Sequence, residues 1–173
     1  MRAIRIAVIA SLLFFSGIVE ATWLTMFALP GVVPPLAFVM VMSFAIRRSP
    51  ASAALLGFAA GGLLDLIPPS TTPLGMSAFS MALVGFSISL IKPYFEGSLS
   101  LPIFAISIAA ISDMFIKIIV ASLMGVTQSY TSDFFVNFFS LGLYAAMLAT
   151  FVLPISLWID SKIVVKQRTI LYR

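Results

Sequence analysis

The chain has 173 residues, 61% of them hydrophobic and only 9% charged, with a mean hydropathy of +1.16; this is the balance of an integral membrane protein, with no stretch left for a soluble domain. It contains neither cysteine nor histidine, which excludes a disulfide framework, a thiolate nucleophile, a Cys/His zinc site and a Ser-His-Asp triad. The formal charge of +4 implies no nucleic-acid partner, because the basic residues fall where a membrane protein retains them.

At about 20 apolar residues per helical crossing, this length allows about six spans. Residues 1–173 therefore read as a single all-α membrane domain, a six-transmembrane-helix bundle. The apolar segments fall at about 6–29, 32–46, 51–67, 74–91, 101–124 and 134–159. The first has the ingredients of a signal peptide: Arg2 and Arg5, an apolar run from Ile6 to Val19, and Val19-Glu20-Ala21 as a loose small-residue site. Apolar sequence continues through Trp23, Met26 and Phe27, which favours retention as a span. The second segment is the shortest and opens with Pro34 and Pro35, which a helix tolerates only near its start. Arg2 and Arg5, Arg47 and Arg48, Lys92, and Lys162, Lys166, Arg168 and Arg173 all fall on one side of the six-span arrangement. The opposite connections, around Pro30, from Pro68 to Pro73 and from Gly125 to Asp133, carry no Lys or Arg. Both termini are thus expected in the cytoplasm, with the tail from Lys162 to Arg173 suited to anionic membrane lipid. Trp23, Tyr94, Tyr130 and Trp158 lie near span ends, as interfacial anchors do, and Asn137 suits a hydrogen bond between helices.

Four ionisable residues fall inside the spans, where each is costly unless paired or hydrated: Glu20, Asp65, Asp113 and Lys117. With a rise of about 1.5 Å per residue, Glu20 and Asp65 come out roughly 20 Å above the cytoplasmic helix ends, and all four share one layer in the outer half of the bilayer. Asp113 and Lys117 are spaced i, i+4, so they stack on one helix face and can form an ion pair. The same step runs through Ala105, Ala109, Asp113, Lys117 and Ala121, and again through Ala53, Gly57, Gly61 and Asp65. Small residues at every fourth position let helices approach closely in lipid. The third and fifth helices are therefore expected to face each other and bring Asp65 towards Lys117. Two readings stay open for the cluster. The charges neutralise one another and fix helix rotation, or they line an outward polar cavity or docking site for a partner. No spacing suggests catalysis, a metal site or a bound cofactor.

The run Gly57 to Leu66, G-x-x-x-G-G-L-L-D-L, followed by P-L-G at Pro73, Leu74 and Gly75, resembles the rod shape-determining MreD family. The turn IPPSTT between Leu66 and Pro73 departs from it in being longer and richer in proline. The resemblance implies a multi-pass, non-enzymatic protein of the bacterial cytoplasmic membrane, without cofactor. It would act as a scaffold of the cell-elongation machinery, bind MreC, and through it support MreB, RodA and a class B penicillin-binding protein in peptidoglycan synthesis. It also implies a fold similar to the S components of energy-coupling-factor transporters. A small-molecule-binding component of a vitamin-type transporter is the alternative that this fold carries with it.

Overall fold

The computed structural model describes residues 2–22, 33–67, 73–95, 100–125 and 134–171. Among them the secondary structure is helical throughout: α1 (Arg2–Thr22), α2 (Leu36–Ala45), α3 (Pro50–Leu66), α4 (Met76–Leu90), a 3-10 turn (Lys92–Phe95), α5 (Ser100–Leu123) and α6 (Phe134–Leu171). α5 and the Phe135–Ile159 part of α6 are long and apolar enough to cross a membrane, whereas Ser11–Glu20 of α1, α2, α3 and α4 are shorter apolar stretches. The expected outer part of the first segment, from Trp23 onward, the IPPSTT turn from Pro68 to Thr72, and Tyr130 lie outside the described residues.

α2 is the centre of the bundle, in contact with α1, α3, α4, α5 and α6. Ala37, Phe38, Val39, Val41, Met42, Ser43, Phe44 and Ala45 are all buried, which suits a helix with no polar face. Its ten residues make a rod of about 15 Å, half the thickness of a bilayer's hydrocarbon core. The second apolar segment is thus a shorter helix than a full span requires. Pro34 and Pro35 offer no N–H and hold the chain off helical geometry until Leu36, and Arg47 and Arg48 follow the helix at its other end. Around α2 the core is filled by Ala53, Ala60, Met81, Val84, Ile88, Ile106, Ala110, Ala145 and Ala149.

α3 and α4 form an antiparallel hairpin whose backbones touch. An added Cβ at Gly57 would overlap the Met81 carbonyl, one at Gly61 would overlap that of Ser77, and one at Gly85 would lie 2.9 Å from Ala53 O. In each successive pair the two positions shift by four in opposite directions, the signature of one small-residue stripe laid against another. Pro50 opens α3 at its first turn, after an extended Ser49, where its fixed φ suits a helix start. The α5–α6 pair is held differently. Ser107 Oγ donates to Gly142 O at 2.7 Å, and Phe115 meets Phe138 edge-on with ring centroids 5.5 Å apart.

One rim of the bundle gathers basic residues. Arg47 Nη2 donates to Ser156 Oγ of α6 at 3.0 Å, Lys92 Nζ donates to Arg47 O at 3.2 Å, and Ser89 Oγ donates to Arg48 O at 2.8 Å. These bonds tie the α2–α3 turn to the end of α4 and to α6. Large apolar side chains project from the outside of the bundle, among them Leu55, Phe104, Phe135 and Phe151. A surface of this kind is at home in lipid and a liability in water.

Candidate functional site

The rim opposite the basic one is built from carboxylates that serve as helix caps. The first four N–H groups of any helix lack intrahelical acceptors, and in hydrocarbon no water replaces them. α2 has Pro35 at its N-cap position and no cap from a neighbouring side chain of its own. Glu20, near the end of α1, supplies one: its Oε2 accepts a hydrogen bond from Ala37 N at 2.8 Å. α4 begins at Gly75, in left-handed geometry with φ 90° and likewise without a side-chain cap of its own. Asp65, near the end of α3, accepts from Gly75 N at 2.8 Å and from Ala78 N at 3.4 Å, both through Oδ2.

The two devices have the same logic. A carboxylate near a helix C-terminus is disfavoured by its own helix dipole, but here each faces the positive N-terminal end of the next helix. Asp65 is 3% exposed, so its Oδ2 is met by backbone N–H groups rather than by bulk water. Gly17, less than one turn before Glu20, packs against Leu64 and Ile67 of the α3 end, and this brings the two caps to the same end of the bundle.

Lys117 Nζ lies 2.7 Å from Asp113 Oδ2, and the side chains are 24% and 9% exposed, so the i, i+4 pair expected from the spacing is formed. The Lys117 ammonium also acts electrostatically on Glu20. Asp65 makes no ion pair with Lys117 among the described residues; its partners are the α4 amides. The expectation that α3 turns its small-residue face to α5 is corrected on the same ground. That face meets α4, because Gly57 and Gly61 abut Met81 and Ser77, and the main contacts of α5 are with α6, α4, α2 and the 3-10 turn. Asp65 Oδ1, Asp113 Oδ1 and Asn137 Oδ1 are buried without hydrogen-bond partners among the described residues. The inter-helix bond expected of Asn137 is therefore not made through that oxygen.

The motif residues now have physical tasks. Gly57 and Gly61 allow backbone contact, Asp65 caps α4, and Pro73 O accepts from Met76 N at 3.2 Å to close the turn. Gly75 takes a positive φ that a residue with a Cβ adopts only at a cost. Leu74 is 73% exposed and makes no comparable contact. Gly85 belongs to the same hairpin and was not singled out by the motif, although the four-residue series Ser77, Met81, Gly85 and Ser89 signals it.

The family described as rod shape-determining protein MreD matches residues 1–162. No curated protein sequence and no solved structure matches the chain.

Proposed function

The chain belongs to the MreD family, and from that premise we propose that it is a non-enzymatic scaffold of the cell-elongation machinery in the bacterial cytoplasmic membrane. Family membership gives it a role in determining rod shape and a place in the membrane. The finer reading is that it binds MreC, and through MreC supports MreB, RodA and a class B penicillin-binding protein in lateral peptidoglycan synthesis. Six spans with both termini in the cytoplasm, in a bundle similar to the transporter S components, are part of this proposal. The gathering of Arg47 and Lys92 at one rim supports that orientation.

One observation carries the choice of a scaffold. Glu20 Oε2 and Asp65 Oδ2 are met by N–H groups at the starts of α2 and α4, and Asp113 Oδ2 by Lys117, so each of these intramembrane carboxylates has a structural partner at one oxygen without a substrate. With connections this short, a partner is met within the bilayer or at the two rims. The test is to express the intact chain with a C-terminal affinity tag in its native host, solubilise it gently, and identify what co-purifies by mass spectrometry. Recovery of MreC with elongation enzymes is the expected result. An ATPase pair or a stoichiometric vitamin, without MreC, would move the assignment to transport.

A further inference from the structure

The helices around α2 form an incomplete ring. Their contacts run in the order α1, α3, α4, α5, α6, each touching the next. Among the described residues the link that would close the ring, from α6 back to α1, has no substantial contact. Cylinders of equal width pack six around one, and α-helices are about 10 Å across with their side chains. The five neighbours of α2 therefore leave room for one more helix, between α6 and α1.

The side chains locate the same opening independently. Within α2 only Leu36 and Met40 are not buried, and they stand one turn apart on one face. That face continues to Arg47, whose Nη2 reaches Ser156 of α6 at 3.0 Å, so it is turned towards the α6 side of the ring. On α1, Gly17 packs against the end of α3 and Glu20 reaches α2. The flank of α1 on the other side of Glu20 carries Leu12 and Val19, both half-buried. α6 repeats the arrangement: Gly142 packs against α5, Ala145 and Ala149 face the core, and the flank away from α5 carries Leu141 and Leu148, again half-buried. The heights agree as well. Counted at about 1.5 Å per residue from the Glu20–Ala37 and Arg47–Ser156 bonds, Val19, Met40 and Leu148 fall within about 5 Å of one level. They bound an apolar groove floored by α2, closed at the basic rim by the Arg47–Ser156 bond and open sideways to the bilayer.

We propose that this groove seats one apolar membrane-spanning helix of a partner, packed against Leu36 and Met40 and flanked by α1 and α6. The missing place in the ring is one helix wide, which selects a single helix over a hairpin, and the apolar walls select a helix without charges at that depth. The proposal rests on the scaffold reading, which supplies MreC as the partner to test, and adds where on the bundle that partner sits.

The test uses the full-length tagged chain in its native host. Photoreactive benzoylphenylalanine is placed singly at Val19 or Leu148 for the groove, and at Leu55 or Phe104, exposed on α3 and α5, for the outer surface. MreC is followed by co-purification without irradiation and by cross-linking after irradiation of the membranes. Val19 and Leu148 should cross-link MreC at least about fivefold more than Leu55 and Phe104. As a second readout, Val19→Trp combined with Leu148→Trp fills the groove from both walls and should cut co-purified MreC at least about fivefold per folded protein, while Leu55→Trp should not. Equal yields at all four positions would overturn the proposal, as would cross-links from Val19 and Leu148 that reach only lipid, a second copy or this chain itself. If MreC still co-purifies in that case, the scaffold reading stands and its contact lies elsewhere. Failure of MreC to co-purify with the unsubstituted chain overturns the scaffold reading itself and takes the proposal with it.

Discussion

Replacing Gly61 by alanine places a methyl group between two backbones. Its Cβ would lie 2.5 Å from the Ser77 carbonyl carbon and 2.6 Å from Ala78 N, against 3.4–4 Å for ordinary contact. Relief requires α3 and α4 to part by about 1 Å, because neither obstacle is a flexible side chain that can swing away. Overpacking of this kind costs about 1–3 kcal/mol, and the rigid obstacle places Gly61 at the upper end. Alanine recovers about 1 kcal/mol through its better helix propensity, so a net loss of about 2 kcal/mol is expected. Gly62 is the control on the same helix, since its added Cβ would meet only Ala78 Cβ, at 3.9 Å. Gly62→Ala should be neutral or stabilising by up to about 1 kcal/mol. The assay is reversible unfolding of the purified protein in mixed detergent–SDS micelles, followed by circular dichroism. If the two variants unfold within about 0.5 kcal/mol of each other, backbone contact between α3 and α4 is not what these glycines provide.

Asp65→Asn keeps the shape but weakens the acceptor for Gly75 N and Ala78 N, and should cost about 1–2 kcal/mol with faster amide exchange at those two positions. Glu20→Ala removes the cap on α2 and should cost about 1 kcal/mol, read as faster exchange at Ala37 while the Gly75 amide is unaffected. Asp113→Asn and Lys117→Met should each destabilise the protein, but the double variant by less than their sum, with a coupling of about 1 kcal/mol or more in the same unfolding assay. Gly85→Ala, facing Ala53 O at 2.9 Å, should fall between Gly62→Ala and Gly61→Ala.

The sequence carried the helical content and the close-packing face of α3, because a four-residue step of Ala53, Gly57 and Gly61 has one meaning on a helix. It did not reveal which neighbour that face meets. α5 has the same periodicity in Ala105, Ala109 and Ala121, and periodicity alone does not choose a partner. The stripe on α4, visible in Ser77 and Gly85, was the discriminating signal. The start of α2 was legible in Pro34 and Pro35, but not its place at the centre of the bundle, which depends on contacts with all five other helices.

The site was misread where a charge was assumed to require an opposite charge. Asp65 is balanced by the amide groups of a helix N-terminus. The clue is that neither Pro35 nor Gly75, at the starts of α2 and α4, has a side chain able to cap. Asp113 and Lys117 were legible because both partners stand on one helix at a fixed spacing.

The central claim is that the buried carboxylates hold the scaffold together and do not handle a substrate. The most direct test places Asp65→Asn and Asp113→Asn in the native host as the sole copy, and measures cell shape beside the amount of folded protein in the membrane. The account predicts that any loss of rod shape tracks the loss of folded protein, and that raising expression restores both. A variant that is folded at normal abundance in rounded cells would contradict it, and would make the carboxylates themselves the functional site.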